Sequence, residues 1–294
     1  MAFGKNLTEF IENFYECKML IVEGKFRGTD YRLQLDEKVA NIQKLMFVTC
    51  DFGGYSGLEN AVQSARQNPD INILALTDYD TDMLIPHNLS VVRCHLTEGD
   101  PRFLGKILKI CPELILDKYQ TLIWFDANII LKRNIHEKIT NFASADVILF
   151  NHQKRKNIFE EADAVVSGGK EDSAIIDRFF GSLPDQALNY SLYQGRFFIR
   201  HSSSAVKLMN DQWFEFVTNF SIRDQLSLPV ALKNSHCNFI VHEAKRLKDL
   251  IEIKPHHKFD VSRYNTSMIG RLRAYRSRIL YWLLVQRRNP NARK

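Results

Sequence analysis

Three apolar segments, Leu45 to Thr49, Ile71 to Thr77 and Thr121 to Phe125, run on into aspartates: Asp51, Asp78 and Asp126. A short apolar run bounded by polar and turn residues reads as a strand buried on both faces. A carboxylate closing such a strand is not core, because burying it without a partner costs several kcal/mol. One such aspartate is equally well a helix cap or a turn residue; three together mark a site. Gly53, Gly54 and Gly57 make a turn after Asp51, a helical segment follows as far as Asn68-Pro69, and Leu89 to Cys94 adds a short strand. Strands alternating with helices predict an α/β fold with a mostly parallel sheet covered on both faces. Ligands of such sheets collect at the carboxyl ends of the strands.

The pattern continues downstream. Asp100-Pro101 opens a helix on which Arg102, Lys106 and Lys109 share one face, with Leu104, Ile107, Leu108 and Cys111 on the other. Such a basic stripe is a solvated surface or, beside carboxylate-ended strands, a clamp for a diphosphate. Beyond Asp126 come a short apolar run, Ile129 to Leu131, and a strand, Asp146 to Phe150, ending in Asn151-His152. A helix beginning near Ile158 carries Glu160 and Glu161, as surface or pocket residues. Gly195 to Arg200 reads as a strand, and Ser204 to Phe220 as an amphipathic helix with Val206, Met209, Trp213, Phe216, Val217 and Phe220 inward.

Of the 294 residues 45% are hydrophobic and 25% charged, which excludes disordered and low-complexity chains. A formal charge of +6 favours anionic ligands or surfaces without specifying them. The five cysteines, Cys17, Cys50, Cys94, Cys111 and Cys237, form no C-x-x-C pair, so a reducing, cytoplasmic setting without a disulfide framework or zinc site is expected. The N-terminus lacks a signal-peptide layout. The apolar stretch Ile279 to Val285 falls far short of the roughly 20 residues of a membrane span.

Neither a P-loop nor a G-x-G-x-x-G fingerprint occurs. Asp78-Tyr79-Asp80-Thr81-Asp82 fails as a calcium loop, since Met83 and Leu89 stand where glycine and glutamate are required. It nearly matches the nucleophile loop of haloacid-dehalogenase-type phosphatases, so a phosphatase using Asp78 and Asp80 is one alternative. Asp126-Ala127-Asn128 resembles the Asp-x-Asp metal motif of GT-A glycosyltransferases. There Mg²⁺ or Mn²⁺ bridges a carboxylate and the donor diphosphate. Asn128 offers a carbonyl oxygen without charge, which leaves a metal-independent site open.

Five segments in order carry a broader resemblance: Arg102 to Pro112 (RFLGKILKICP), Ile123 to Asn128 (IWFDAN), His152 to Ala162 (HQKRKNIFEEA), Gly195 to His201 (GRFFIRH) and Arg223 to Pro229 (RDQLSLP). They resemble the glycosyltransferase-like family of plant pectin and mucilage synthesis and of bacterial capsule and lipopolysaccharide loci. The resemblance implies a GT-A-like fold and transfer of a sugar from a nucleotide-diphosphate-sugar donor to a polysaccharide or glycoconjugate acceptor. It places Asp126 and Asn128 at a Mn²⁺ or Mg²⁺ ion or at the diphosphate, and Arg102 and Lys106 on phosphates. His152, Arg155 and Glu161 would line the sugar pocket, Arg223 and Gln225 would bind the donor, and Asp224 would be the catalytic carboxylate with Glu161. Gly53, Gly54 and Asp78 complete the expected donor site. A non-catalytic glycan-binding or scaffold protein with a degenerate metal motif is the other alternative.

Three regions are expected: an N-terminal helical or extended segment over 1–40, a GT-A-like domain over 41–255, and a basic extension over 256–294. From Gly270 onward Arg271, Arg273, Arg276, Arg278, Arg287, Arg288, Arg293 and Lys294 are interleaved with Leu272, Ile279, Tyr281 and Trp282, with no acidic residue. Such a helix lies on an anionic membrane surface or packs on its own domain. No nucleic-acid recognition motif accompanies it.

Overall fold

The computed structural model of the protein describes residues 20–26, 29–35, 43–98, 101–114, 116, 119–140, 142 and 145–255. Asp100, His256, His257 and the basic extension lie outside them. The strands are β1 (Leu20–Phe26), β2 (Thr29–Leu35), β3 (Gln43–Asp51), β4 (Ile73–Thr77), β5 (Leu89–Glu98), β6 (Tyr119–Phe125), β7 (Ile129–Leu131), β8 (Val147–Phe150), β9 (Phe197–His201), β10 (Phe239–His242) and β11 (Ile251–Ile253). The helices are α1 (Glu59–Gln67), α2 (Pro101–Ile110), α3 (Ile135–Thr140), α4 (Ile158–Ser167), α5 (Ser173–Gly181), α6 (Ser204–Asn219), α7 (Asp224–Asn234) and α8 (Ala244–Leu250).

Nine strands form one sheet in the order β1-β2-β5-β4-β3-β6-β9-β8-β10. From β5 to β10 the run is parallel except for β9, which is antiparallel to both β6 and β8. This is the mostly parallel, helix-flanked α/β sheet expected of a GT-A-like chain. The first half of β5 pairs parallel with β4 while Cys94 to Glu98 pairs antiparallel with β2, so the strand is longer than its apolar run. Through β2 the β1–β2 hairpin continues the same sheet across residue 40. A small second sheet, β7 with β11, is antiparallel.

The buried strands explain themselves by composition: every residue of β4, β7 and β8 is buried, so both faces are apolar. One core, with Leu74, Leu76, Leu122 and Trp124, packs under α2 and α6; the opposite core, with Phe47, Ile73, Ile123 and Phe125, packs under α1 and α8. In α6, Val206, Met209, Trp213 and Val217 are buried as expected, while Phe216 and Phe220 turn to a third cluster beneath α4, α5 and α7. No helix among the described residues is long and apolar enough to cross a membrane.

Candidate active site

Asp51 closes β3 and is buried, with its carboxylate taken up by neutral donors. Its Oδ1 accepts the Ser56 N–H at 2.8 Å; its Oδ2 accepts the Gly57 N–H at 3.0 Å and the Tyr79 hydroxyl at 2.7 Å. These bonds fold the β3–α1 turn back on itself. The turn requires φ of +70°, +60° and +78° at Gly53, Gly54 and Gly57, a region where side chains other than glycine's are strained. From the neighbouring strand end, Asp78 Oδ1 accepts the Gly53 N–H at 2.8 Å. Gly53, Gly54, Ser56, Glu59, Asp78 and Tyr79 line the resulting recess, of about 450 Å³. Burial and the bond to Asp51 push the Tyr79 phenol up, so it stays a neutral donor.

Beside this recess lies a cluster of charges. α2 packs closely on β3: a Cβ at Gly105 would stand 3.3 Å from Cys50 Sγ. That approach carries the basic stripe of α2 over the strand ends. Lys106 Nζ lies 2.8 Å from Asp224 Oδ1; Lys109 Nζ lies 2.6 Å from Asp224 Oδ2 and 3.6 Å from Asp126 Oδ1. The Lys109 side chain is only 2% exposed and its ammonium sits 5.9 Å from the ring centroids of Trp124 and Phe198. Burial opposes its charge, but Asp126 and Asp224 outweigh that, so its pKa is raised and it remains an ammonium. For Asp224 burial pushes the carboxyl up, and the two lysines more than offset it and hold it well below the usual carboxylate range. Asp126 is 32% exposed, and its Oδ1 accepts the Trp124 indole N–H at 2.9 Å. A Cβ on Gly195 would stand 3.5 Å from Lys109 Nζ and 3.8 Å from Asp224 Oδ2, so glycine keeps the front of the pair clear.

A buried arginine fixes the cluster from behind. Arg200, on β9, donates from Nη2 to the Lys109 carbonyl at 2.7 Å and from Nη1 to the Ile110 carbonyl at 2.9 Å and to Asn210 Oδ1 at 2.7 Å. The last carbonyls of a helix lack intrahelical partners and carry the negative end of its dipole, so a guanidinium there is favourable.

The third group is His152, Arg155 and Glu161. Asn157 caps α4 by accepting the Glu160 N–H at 2.9 Å, and Glu160 Oε2 accepts the Lys156 N–H at 2.7 Å. The next residue, Glu161, is turned inward and pairs with Arg155 Nε. Burial pushes the Glu161 carboxyl up and Arg155 partly offsets this. His152 Nδ1 accepts the N–H groups of Lys154 at 3.2 Å and Arg155 at 2.9 Å. Burial and the nearby Arg155 and Arg196 guanidiniums lower its pKa to about 4, so it is neutral at pH 7.

Asp78 and the glycine turn lie at the ends of β4 and β3, while Lys106, Lys109, Asp126 and Asp224 form the charge cluster, with Arg200 behind it and Gly195 beside it. Three of the expected donor-site residues also have scaffold partners. Asn128 is no free ligand: its Nδ2 donates to the Lys254 carbonyl at 3.0 Å, its own carbonyl accepts the Lys254 N–H at 2.8 Å, and its Oδ1 is sealed from solvent. It joins the ends of β7 and β11. Arg223 Nη2 donates to the Lys170 carbonyl at 2.9 Å, and Gln225 Nε2 to the Tyr193 carbonyl at 2.7 Å, so each side chain is anchored to the scaffold by one bond. Asp224 is held by two ammoniums, which favour its carboxylate form. Arg102 stands exposed one turn before Lys106.

The donor set does not fit a resident divalent cation. Among the described residues no three His, Cys, Asp or Glu side chains converge as a metal site. Of the Asp126-Ala127-Asn128 turn, only the Asp126 carboxylate is accessible, and an ammonium already faces it.

Residues 88–256, more than half of the chain, match the model of the TOD1/MUCI70 glycosyltransferase-like domain. No curated protein matches the chain in sequence. Among solved structures the chain is similar to the bifunctional glycosyltransferase WbbM in its apo form, at 9% identity and a TM-score of 0.46, over 82% of this chain and 46% of that one. It is also similar to the galactosyltransferase LgtC in complex with donor and acceptor sugar analogs, at 8% identity and a TM-score of 0.40, over 67% of this chain and 72% of that one. The chain thus spans under half of WbbM.

Proposed function

The chain belongs to the TOD1/MUCI70 glycosyltransferase-like family, and on that premise we propose that it moves a sugar from a nucleotide-diphosphate donor to a polysaccharide or glycoconjugate acceptor. The observation that carries the reading is the meeting, at one edge of a parallel sheet, of a glycine-lined recess with the Lys106–Lys109–Asp126–Asp224 cluster. The recess, lined by Glu59 and Asp78, suits a nucleoside, whose hydroxyl and N–H donors a carboxylate accepts. Lys106, 28% exposed, reaches the phosphates. Asp126 accepts a hydroxyl of the donor, and Arg155 and His152 border the sugar. Asp224 serves as counter-ion, holding the two lysines in place.

With Asp224 held by two ammoniums, the acceptor proton goes to Glu161, whose carboxyl burial pushes up, or to the leaving phosphate. A capsule- or lipopolysaccharide-type acceptor, cytoplasmic placement and contact with an anionic membrane through 270–294 complete the proposal; the sequence supports them by the resemblance and by the basic tail.

Calorimetric titration and a thermal-shift panel of UDP-, GDP-, CMP- and dTDP-sugars test the reading. One donor is expected to raise the melting temperature, since a ligand at 100 times its Kd stabilises the native state by about 2.7 kcal/mol. Donor-independent melting across the panel, with and without a glycan acceptor, overturns it.

A further inference from the structure

We infer that the diphosphate is neutralised by the α2 lysines and not by a divalent cation, an inference that rests on the donor reading above. Of the two residues that would hold a metal, Asn128 is sealed inside the fold and Asp126 already faces an ammonium. The Asn128 side-chain amide is given to Lys254, and its oxygen is out of solvent reach. One Asp126 oxygen accepts the Trp124 indole, and the Lys109 ammonium lies 3.6 Å from that same oxygen. A divalent ion bound there would share the Asp126 carboxylate with the buried Lys109 ammonium.

The chain supplies its own cations instead. α2 is pinned at its C-terminal end by Arg200 and packed through Gly105 against β3, so the positions of Lys106 and Lys109 are set by the scaffold. Asp224 binds both ammoniums, through Oδ1 at 2.8 Å and Oδ2 at 2.6 Å. Lys109, inside the fold, is the positioning residue: it pairs with Asp126 and Asp224 and leaves Lys106 as the exposed partner. An arriving phosphate oxygen competes with Asp224 for Lys106 and takes a charge-assisted hydrogen bond from it. Lys106 is thus held at the site before the donor arrives, and the phosphate exchanges with Asp224 as its partner.

The test is calorimetric binding of UDP, GDP, CDP and dTDP to the full chain, first in EDTA and then in Mn²⁺. At least one nucleoside diphosphate is expected to bind in EDTA, with a Kd that Mn²⁺ changes by less than about threefold. Lys106→Gln is expected to weaken that binding about tenfold or more, and Lys106→Arg to retain most of it. Lys109→Met alone leaves carboxylates without their cation and can fail to fold. The charge-balanced Lys109→Met/Asp224→Asn variant keeps the melting transition and is expected to lose binding in EDTA to a similar degree. Binding that appears only with Mn²⁺ overturns the inference and leaves the donor reading standing. So does wild-type affinity in Lys106→Gln or in the folded double variant. Binding in neither condition overturns both.

Discussion

Asp51 and Asp224 are both buried carboxylates beside the same sheet edge, and they are settled in opposite ways. Asp51 meets two backbone N–H groups and a phenol, all neutral. Asp224 meets two ammoniums. Neutral donors satisfy the Asp51 oxygens without cancelling their charge, so the recess above it, with Asp78 and Glu59 on its walls, stays a place for hydrogen-bond donors and a poor one for phosphate. Ammonium partners cancel the Asp224 charge and keep two cations poised beside that recess. The difference puts one residue type in two electrostatic settings, to which the proposed reading assigns the nucleoside and the phosphates.

The sharpest way to break this contrast is to remove the shared cation. Lys109→Met leaves Asp224 with Lys106 alone and Asp126 without its ammonium, and breaking a buried pair in this way costs about 3–5 kcal/mol. Urea unfolding at pH 7 measures it. Adding Asp224→Asn is expected to restore most of the loss, since the neutral pair leaves no lone buried charge; equal stability of the single and double variants would show that the pair is not coupled.

On the neutral side the expected effect is smaller. Asp51→Ala leaves the Ser56 and Gly57 N–H groups and the Tyr79 hydroxyl without their acceptor, for a loss of about 2–3 kcal/mol by the same measurement. Tyr79→Phe removes one of the three bonds and is expected to cost about 1 kcal/mol. Donor affinity should follow the Asp51 variant down, because the turn that it holds is the floor of the recess. A normal donor Kd in folded Asp51→Ala would detach the recess from binding.

The two ends also separate by pH. The folded pKa of His152, about 4, is below its ordinary value of 6.5, so the unfolded chain takes up a proton that the folded chain refuses. That contribution lowers stability as pH falls from about 6.5 to 4. Asp224, shifted downward, contributes stability that persists through this window and is lost only below the ordinary carboxylate range. Glu161, pushed up by burial, acts in the opposite sense to His152, so the comparison is between wild type and His152→Gln. The variant is expected to show a smaller fall in melting temperature between pH 7 and pH 4.5; an unchanged fall would remove His152 from the account.

The edge of the sheet was legible because its ingredients are local. Apolar runs ending in Asp51, Asp78 and Asp126, with glycines after the first, state strand, turn and site in a few residues. The β1–β2 hairpin and the far half of β5 were not, since they depend on pairing with one another rather than on their own pattern. Lys109 belonged to a stripe that looks solvated on a helical wheel. Its burial follows from the close packing at Gly105 and from a counter-ion on α7, and neither is visible from α2 alone. Asn128, Arg223 and Gln225 were placed by resemblance, and their partners are carbonyls of Lys254, Lys170 and Tyr193, contacts that only the folded chain creates. Arg200 and Trp124 did leave a signal: a cation inside an apolar strand, and an indole two residues before Asp126 on the same strand face.

The smallest effect is expected at Asp80, and it bears on chemistry more than on stability. Asp80 is 80% exposed and its carboxylate meets Arg93 Nη1 at 2.9 Å, while Asp78 is engaged with the Gly53 N–H. An exposed pair of this kind contributes about 0–1 kcal/mol, so Asp80→Asn should melt within a degree or so of wild type. A phosphatase nucleophile loop needs its first aspartate facing phosphorus and its second beside the leaving oxygen, and here Asp78 accepts the Gly53 N–H while Asp80 pairs with Arg93. Donor binding in Asp80→Asn is therefore expected to equal that of wild type, and the variant to leave any sugar-nucleotide turnover unchanged. Loss of a phosphate-ester hydrolysis in Asp80→Asn, with donor binding intact, would move the reacting centre from the lysine cluster to the β4 end and reverse the division drawn above.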